Sequence, residues 1–351
     1  MKSIPIIDID LYVTSKPISQ SEVPPPIQQS CESLASSLIQ YGAVIIQDSR
    51  VNATDNDKYI TMMQKYFDQP REIKVKDARP DLSYQVGVTP DGIEKARDHT
   101  EYINKRLDEE NKPHPLSVSQ AADPKWRFFW RLYDQERLGG NAINVVPKAF
   151  EQEWASTMNG WGYKMLQAVY DATEMLALGL GMEADSLTQY LQGGNHLLAP
   201  TGSDLSNLTK DVVLAAFHYD LNFLTIHGAA SHPGLFIWTR EGKRLAVKVP
   251  KGCLLIQAGI QVEILTGGKV QRGFHEVIVT EDALTIAQNN KQLNKPCGVW
   301  RVSSTVFSHV ASDKVLKPLI GAEDSEVASK YPPIRAEDQV RAELEAINLK
   351  A

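Results

Sequence analysis

The feature that most constrains the fold is a series of short β-type segments in the second half of the chain. From about residue 212 onward, runs rich in β-branched, aromatic and other apolar residues alternate with turn residues such as Pro233-Gly234 and Gly267-Gly268. The runs cover residues 212–217, 221–226, 235–238, 245–249, 253–257, 274–280 and 299–307. Many short strands with turn residues between them predict a sandwich or a barrel.

The first 190 or so residues have a different character and predict a mainly helical region with two early strands, at residues 4–9 and 43–46. Helices are predicted from Pro25-Pro26 to Gly42, over residues 56–67, after Pro147 and, near the end of the chain, over residues 336–347. The charge-rich segment 71–112 predicts an exposed, partly irregular stretch.

Composition excludes several kinds of partner. The net charge of −6 argues against a basic face that follows a phosphate backbone, so no nucleic-acid partner is predicted. No run of about 18 apolar residues exists, Asp8 and Asp10 do not fit a signal peptide, and no membrane partner is predicted. Cys31, Cys253 and Cys297 are too few and too far apart for a disulfide framework. We predict a cytoplasmic monomer that binds a small-molecule substrate.

The chemistry is concentrated in the β-type segments. His218 and Asp220 end the first of them, and side chains at i and i+2 of a strand point to the same face. His275 lies 55 residues after Asp220 in another predicted strand, an interval that accommodates about four strands with their turns. The alternative pair, His99 and Glu101, lies in the charge-rich segment, where i and i+2 diverge. Two histidines and an aspartate with open positions are the facial triad of non-heme Fe(II) oxygenases.

A second pair, Arg301 and Ser303, has the same spacing on a later predicted strand. A guanidinium beside a hydroxyl can bind a carboxylate, because arginine offers a planar fork of donors.

With these residues, the chain resembles the 2-oxoglutarate-dependent Fe(II) dioxygenases of the isopenicillin N synthase-like family. Residues 4–8 and 41–46 are similar to the first two strands of that family. Residues 204–310, including 261–268 ahead of the distal histidine, are similar to its double-stranded β-helix core. The resemblance implies an α+β fold, with a jelly-roll core and a helical N-terminal region packed on it. It divides the chain into residues 1–203, 204–310 and 311–351, which form one compact unit.

The resemblance also implies the roles of the site residues. His218, Asp220 and His275 would bind Fe(II), and Arg301 and Ser303 would bind the far carboxylate of 2-oxoglutarate. O2 would be the oxidant, and ascorbate an accessory reductant.

The sequence departs from the family pattern in two places. Plant members carry an Asn-x-Tyr motif that helps hold the co-substrate, whereas the matching stretch here is Asn195-His196-Leu197. The distal histidine and the arginine are 26 residues apart, a longer gap than usual, which leaves an insert at about residues 280–298. The polar insert predicts a loop or short helix at one end of the barrel. Our hypothesis is that it helps close the mouth of the site.

Other candidate residues favour ordinary structural roles. His227 and His232 lie in a turn-rich stretch and are predicted to be surface or hydrogen-bonded histidines instead of a second metal site. The aromatic run at residues 126–131 is interpreted as a packed helix face.

The leading prediction is therefore an Fe(II)/2-oxoglutarate dioxygenase that oxidises a small metabolite by hydroxylation, desaturation or ring closure, in secondary metabolism. One alternative is an Fe(II) oxidase of the same fold that uses no 2-oxoglutarate and clamps the substrate carboxylate with Arg301 and Ser303. The other is a non-catalytic binding protein with a relic site.

Overall fold

Helices dominate the first half of the chain and strands the second, in a computed structural model that describes residues 4–17, 20–116, 122–132, 144–347 and 349. The helices are α1 (Asp10–Ser15), α2 (Pro25–Tyr41), α3 (Ala53–Phe67), α4 (Arg71–Lys74), α5 (Thr100–Arg106), α6 (Trp154–Gly179), α7 (Asp185–Leu191), α8 (Ile260–Leu265), α9 (Glu281–Gln292), α10 (Ser325–Lys330) and α11 (Ala336–Ala346). None of the helices in these ranges combines the length and apolarity needed to cross a bilayer.

The strands are mostly short, as the sequence pattern predicts. They are β1 (Ile6–Asp8), β2 (Ala43–Gln47), β3 (Gly87–Thr89), β4 (Trp126–Arg131), β5 (Leu197–Leu198), β6 (Thr201–Asp204), β7 (Val213–Tyr219), β8 (Leu224–His227), β9 (Leu235–Trp238), β10 (Arg244–Ala246), β11 (Cys253–Ala258), β12 (Phe274–Ile278), β13 (Trp300–Val302), β14 (Thr305–Ser308), β15 (Val315–Leu316) and β16 (Ile334–Arg335).

Two main sheets form the core. The large sheet has the order β1-β2-β11-β8-β14-β5-β4-β6-β13, with β3 added beside β4, and the small sheet has the order β10-β9-β12-β7. Among the strands of the described residues, β1 pairs parallel with β2 and the other pairs are antiparallel. Side chains from both sheets line one internal cavity. The mixed α+β architecture with a jelly-roll core is confirmed, while the division into residues 1–203, 204–310 and 311–351 stays a prediction.

The helices cover the outer face of the large sheet. The largest apolar cluster joins α2, α3 and α6 to strand residues such as Ile226 and Val306. Because side chains alternate along a strand, the neighbours His227 and Thr305 face the opposite way, into the cavity. The long helix α6 therefore forms a wall behind the strands that carry the site.

The predicted helix after Pro25 is confirmed at both ends. Proline is well suited to a first helical turn, and α2 begins at Pro25. Gly42 ends the helix in the left-handed region, with φ of 63°, and its backbone N–H donates to the carbonyl oxygen of Leu38. A Cβ at Gly42 would lie 2.8 Å from the Cα of Gly273, so the close approach of these two segments also requires glycine.

Two sequence predictions about local structure are wrong. Residues 126–131 form strand β4 and not a helix face. Trp126, Phe128 and Trp130 lie on one buried face of the strand, and the partly buried Arg127 and Arg131 lie on the other, an alternation typical of a strand. Residues 299–307 form two strands separated by Ser303 and Ser304, since β13 pairs with β6 while β14 pairs with β5 and β8. The segment 71–112 is partly irregular, as expected, and contains β3, α4 and α5.

Candidate active site

Two neighbouring strands of the small sheet bring the predicted metal-binding residues together. His218 lies on β7 and His275 on β12, and the antiparallel register places them directly opposite each other. Asp220 follows β7 by one residue, so the i, i+2 spacing turns its side chain to the same face as His218. The register shifts immediately after His275, a bulge of the kind that re-aims side chains beside functional sites.

The three side chains form a tight group. One possible ligand atom from each lies within 4.8 Å of the others. Among the described residues, these three form the group of histidine, cysteine or acidic side chains that could hold a metal ion. The Oδ1 atom of Asp220 is 3.8 Å from Nε2 of His218 and 3.9 Å from Nε2 of His275. The structure thus brings His218, Asp220 and His275 together as the sequence pattern predicts.

Hydrogen bonds orient two of the three groups. The Nδ1–H of His218 donates to the carbonyl oxygen of Ala216 at 2.6 Å, which leaves the lone pair of Nε2 facing the group. The hydroxyl of Thr225 donates to Oδ2 of Asp220 at 2.6 Å, which leaves Oδ1 free. Such outer partners fix the tautomer and direction of metal ligands. Nδ1 of His275 is buried without a hydrogen-bond partner.

The protonation states also suit a metal. Burial and the neighbouring His275 lower the pKa of His218 to about 3, so its imidazole is neutral at neutral pH. Burial alone would raise the pKa of Asp220, but His275 and His218 outweigh it, and the pKa of this carboxyl is lowered. A neutral imidazole and an ionised carboxylate are the forms that bind a metal ion.

Arg301 lies on β13 and is buried, with 6% of its surface exposed. Its Nε–H donates to the carbonyl oxygen of Pro233 at 3.1 Å, and no carboxylate within the described ranges lies within 4.0 Å of the guanidinium. Burial lowers the pKa of Arg301 to about 10, so the side chain stays charged at neutral pH. It is a buried cation without a carboxylate partner in this part of the chain.

Ser303 lies in the turn between β13 and β14. Its Oγ accepts from the backbone N–H of Thr201 at 2.9 Å and lies 2.8 Å from Oγ1 of Thr201. Arg301 and Ser303 both line the cavity that contains the triad, whose volume is about 510 Å³. The second predicted pair is therefore in the same site as the first.

His227 and His232 are hydrogen-bonded histidines, one of the two roles predicted from the sequence. Nδ1 of His227 lies 3.0 Å from Oγ1 of Thr305, and Nδ1 of His232 lies 2.9 Å from Oγ of Ser231. They line the large cavity, and burial lowers the pKa of each to about 4. The available signal was the position of His227 at i+2 from Thr225 on one strand face.

A buried ionic cluster beside the triad escaped the sequence interpretation altogether. Oε1 of Glu94 accepts from Lys125 at 3.0 Å and from Arg127 at 2.9 Å, and Lys125 also contacts Asp123 at 2.6 Å. Lys125 and Arg127 line the large cavity and a second cavity of about 90 Å³, which meet at His218 and Asp220. Nε of Arg127 and Oε2 of Glu94 are buried without hydrogen-bond partners.

The stretch Asn195-His196-Leu197 does not line the large cavity. Asn195 donates to Ser312 at 3.2 Å, and His196 packs against Tyr170. Ala199, two residues further on, lines the large cavity. Among the described residues, the lining of that cavity includes no tyrosine.

The predicted insert contains helix α9. Thr280 caps it by accepting the backbone N–H of Ala283 at 3.2 Å. Asp282, Thr285 and Ile286 lie on one helix face at i, i+3 and i+4, and all three line the large cavity.

Comparison with known proteins agrees with this geometry. Residues 204–310 match the family model described as the 2OG-Fe(II) oxygenase superfamily. A 2OG-Fe(II) oxygenase family protein from Caulobacter crescentus has a similar structure, with 22% identity, coverage of 99% of this chain and 100% of that chain, and a TM-score of 0.75. A full-length Neurospora crassa protein in complex with alpha-KG and thymine has 17% identity, 98% and 96% coverage, and a TM-score of 0.72. JOX2 in complex with 2OG, Fe and JA has 17% identity, 100% and 87% coverage, and a TM-score of 0.64. At these identities the similar structures establish the fold.

Residues 204–310 carry the domain of the 2OG-Fe(II) oxygenase superfamily, and the similar structures share the fold of the whole chain. Together these findings support a 2OG/Fe(II)-dependent dioxygenase with Fe(II), 2-oxoglutarate and O2 as cofactors.

Proposed function

We propose that the protein oxidises a small metabolite at an iron ion held by His218, Asp220 and His275, with 2-oxoglutarate held by Arg301 and Ser303. The observation that carries the proposal is that one cavity contains both the triad and the buried guanidinium of Arg301, which has no carboxylate partner among the described residues. When bound, iron and 2-oxoglutarate would use O2 to oxidise the substrate, and 2-oxoglutarate would be converted to succinate and CO2.

The three triad residues fit an iron ion. Two neutral imidazoles and one carboxylate are the donor set of a facial triad, which leaves positions open for further ligands. Ala216 and Thr225 hold two of the donors in orientation. In this proposal the triad holds the metal, Ala216 and Thr225 orient two of the ligands, and other residues of the cavity lining position the substrate.

The large cavity fits 2-oxoglutarate as well. Arg301 is buried, charged and lacks a carboxylate partner within the described ranges, and a carboxylate from a ligand would provide one. The Ser303 hydroxyl shares the same cavity and adds a second polar contact. We assign the far carboxylate of the co-substrate to this pair.

The remaining space suits a small organic substrate. A cavity of about 510 Å³ is within the range of small-molecule sites and exceeds the needs of 2-oxoglutarate. Its lining includes Lys125, Arg127 and Phe307, so both charged and apolar groups are available to a substrate. The thymine and JA named for the two similar structures support a substrate of this size.

We also propose that α9 covers the opening of the cavity. Its inward face lines the cavity, while Ile286 is still 37% exposed, as expected for a residue at the mouth.

Hydroxylation, desaturation and ring closure stay open as outcomes, and the cytoplasmic, monomeric state and the role in secondary metabolism remain predictions.

The test is a screen of candidate substrates by succinate formation and O2 consumption, with and without 2-oxoglutarate, on iron-loaded protein. Substrate-dependent succinate formation would support the proposal. O2 consumption that needs substrate but not 2-oxoglutarate would favour the oxidase in which Arg301 and Ser303 clamp the substrate. No Fe(II) binding in an anaerobic titration would favour a binding protein with a relic site.

A further inference from the structure

His227 occupies an unexpected position for a histidine, on the inner face of the large sheet. It ends β8, where Thr225, two residues earlier, faces inward and donates to Asp220. Side chains two residues apart share a face, so His227 faces inward too. Its register partner on β14 is Thr305, and its ring centroid is 6.5 Å from that of His275.

One nitrogen of this imidazole is used by the protein and the other is not. Nδ1 of His227 lies 3.0 Å from Oγ1 of Thr305. Nε2 is buried and has no hydrogen-bond partner. Gln257 also interacts with His227, but no hydrogen bond of normal geometry links them, and both amide atoms of Gln257 are themselves buried without partners. A buried polar atom without a partner in a native structure requires an explanation.

The surroundings of the free nitrogen point to an anionic ligand. His227 lines the cavity that also contains Arg301 and Ser303. Thr305, which holds Nδ1, lies 3.4 Å from Oγ of Ser303, so the imidazole is linked through hydroxyls to the proposed carboxylate clamp. The Thr305 hydroxyl has one proton, which it donates either to Oγ of Ser303 or to Nδ1 of His227. When it donates to Nδ1, the neutral ring carries its proton on Nε2 and presents a donor to the cavity.

We propose that His227 binds 2-oxoglutarate by donating its Nε2–H to a carboxylate oxygen of the co-substrate. This inference rests on the proposed function, because it requires 2-oxoglutarate to lie in the large cavity with Arg301. Co-substrate affinity then also depends on the Thr305 hydroxyl, because its hydrogen bond to Nδ1 decides which nitrogen of His227 carries the proton.

The test compares wild type, His227→Leu and His227→Gln, with Gln257→Leu as the control. Each protein is loaded with Mn(II), and 2-oxoglutarate binding is measured by calorimetry. We expect His227→Leu to weaken 2-oxoglutarate binding about tenfold or more, the loss typical of a hydrogen bond to a charged group. His227→Gln retains a donor near the position of Nε2 and should recover most of the affinity. Gln257→Leu should change the affinity less than about threefold.

The outcomes separate this inference from the proposed function. Failure of the metal-loaded wild type to bind 2-oxoglutarate overturns both. Normal binding by wild type and by His227→Leu overturns the role of His227 alone. Equal weakening in His227→Leu and Gln257→Leu also overturns it, because the effect then comes from repacking of the inner face. Metal affinity and the thermal unfolding midpoint of His227→Gln, measured in parallel, should match those of wild type.

Discussion

His218 and His275 lie directly opposite each other on the paired strands β7 and β12, with ring centroids 4.1 Å apart. The metal-binding group therefore depends on the register of one strand pair. A slip of one residue would turn one imidazole to the other face of the sheet. The bulge after His275 and the carboxylate of Asp220 on the same face complete an arrangement that neither strand makes alone.

Thr225→Val should weaken iron binding without abolishing it. The variant removes the hydroxyl that donates to Oδ2 of Asp220 but keeps the shape of the side chain. Loss of an outer hydrogen bond to a metal ligand typically costs 10- to 100-fold in metal affinity. Anaerobic Fe(II) titration measures the effect, and Thr225→Ser should restore wild-type affinity. Equal affinity in Thr225→Val would show that the hydroxyl does not orient the carboxylate.

Arg301→Gln should raise the KM for 2-oxoglutarate far more than it changes iron affinity. Truncating one partner of a buried charge pair costs about 2–5 kcal/mol. Arg301→Lys keeps the charge but loses the planar fork and should fall between the two. Succinate formation at a series of 2-oxoglutarate concentrations gives KM. An unchanged KM would mean that the guanidinium serves the substrate or the fold.

Ile286→Ala should impair the coupling of 2-oxoglutarate decarboxylation to substrate oxidation while iron binding stays normal. The side chain contributes to the cavity lining at the mouth. Leu293→Ala is the matched control, because Leu293 follows the same helix and is 67% exposed. The ratio of succinate to oxidised substrate measures coupling. Full coupling in Ile286→Ala would show that this face of α9 does not close the site. Removal of the whole insert would be a poorer test, since Ala283 and Ala287 pack on Leu214 and Val279.

Acid should destabilise the protein partly through His196. Its Nδ1 accepts the backbone N–H of His309 at 3.2 Å, and burial lowers its pKa to about 4. The unfolded chain takes up this proton near pH 6.5, so the contribution is fully present above that pH and is lost as the pH falls toward 4. The full loss is about 3 kcal/mol.

His196→Asn should make the fall in stability shallower between pH 7 and pH 4, because an amide oxygen can accept the same N–H and does not titrate. Denaturant unfolding of the metal-free protein across this range measures the slope. Parallel pH profiles for the two proteins would exclude His196 as the source.

The parts of the site that could be predicted from the sequence are those that depend on local spacing. His218 with Asp220 and Arg301 with Ser303 are each two residues apart, so strand parity alone places each pair on one face. The helix bounded by Pro25 and Gly42 was equally local.

The features that were missed depend on contacts between distant segments. Glu94 meets Lys125 and Arg127 across 31 and 33 residues, and no spacing rule connects them. β4 was misinterpreted because Phe129 lies between Arg127 and Arg131 on one face and obscures the alternation typical of a strand. The i+2 spacing places His227 on the same strand face as Thr225, but that this face points inward became clear only from the pairing of β8 with β14 and β11.

Anaerobic titration of metal-free protein with Fe(II), for wild type and for His218→Ala, Asp220→Ala and His275→Ala, tests the central claim most directly. Wild type should bind one iron ion per chain. Each variant should lose tight binding and 2-oxoglutarate turnover, because a site with three protein ligands cannot spare one. Wild-type iron binding in any of the three variants would contradict the assignment of the triad.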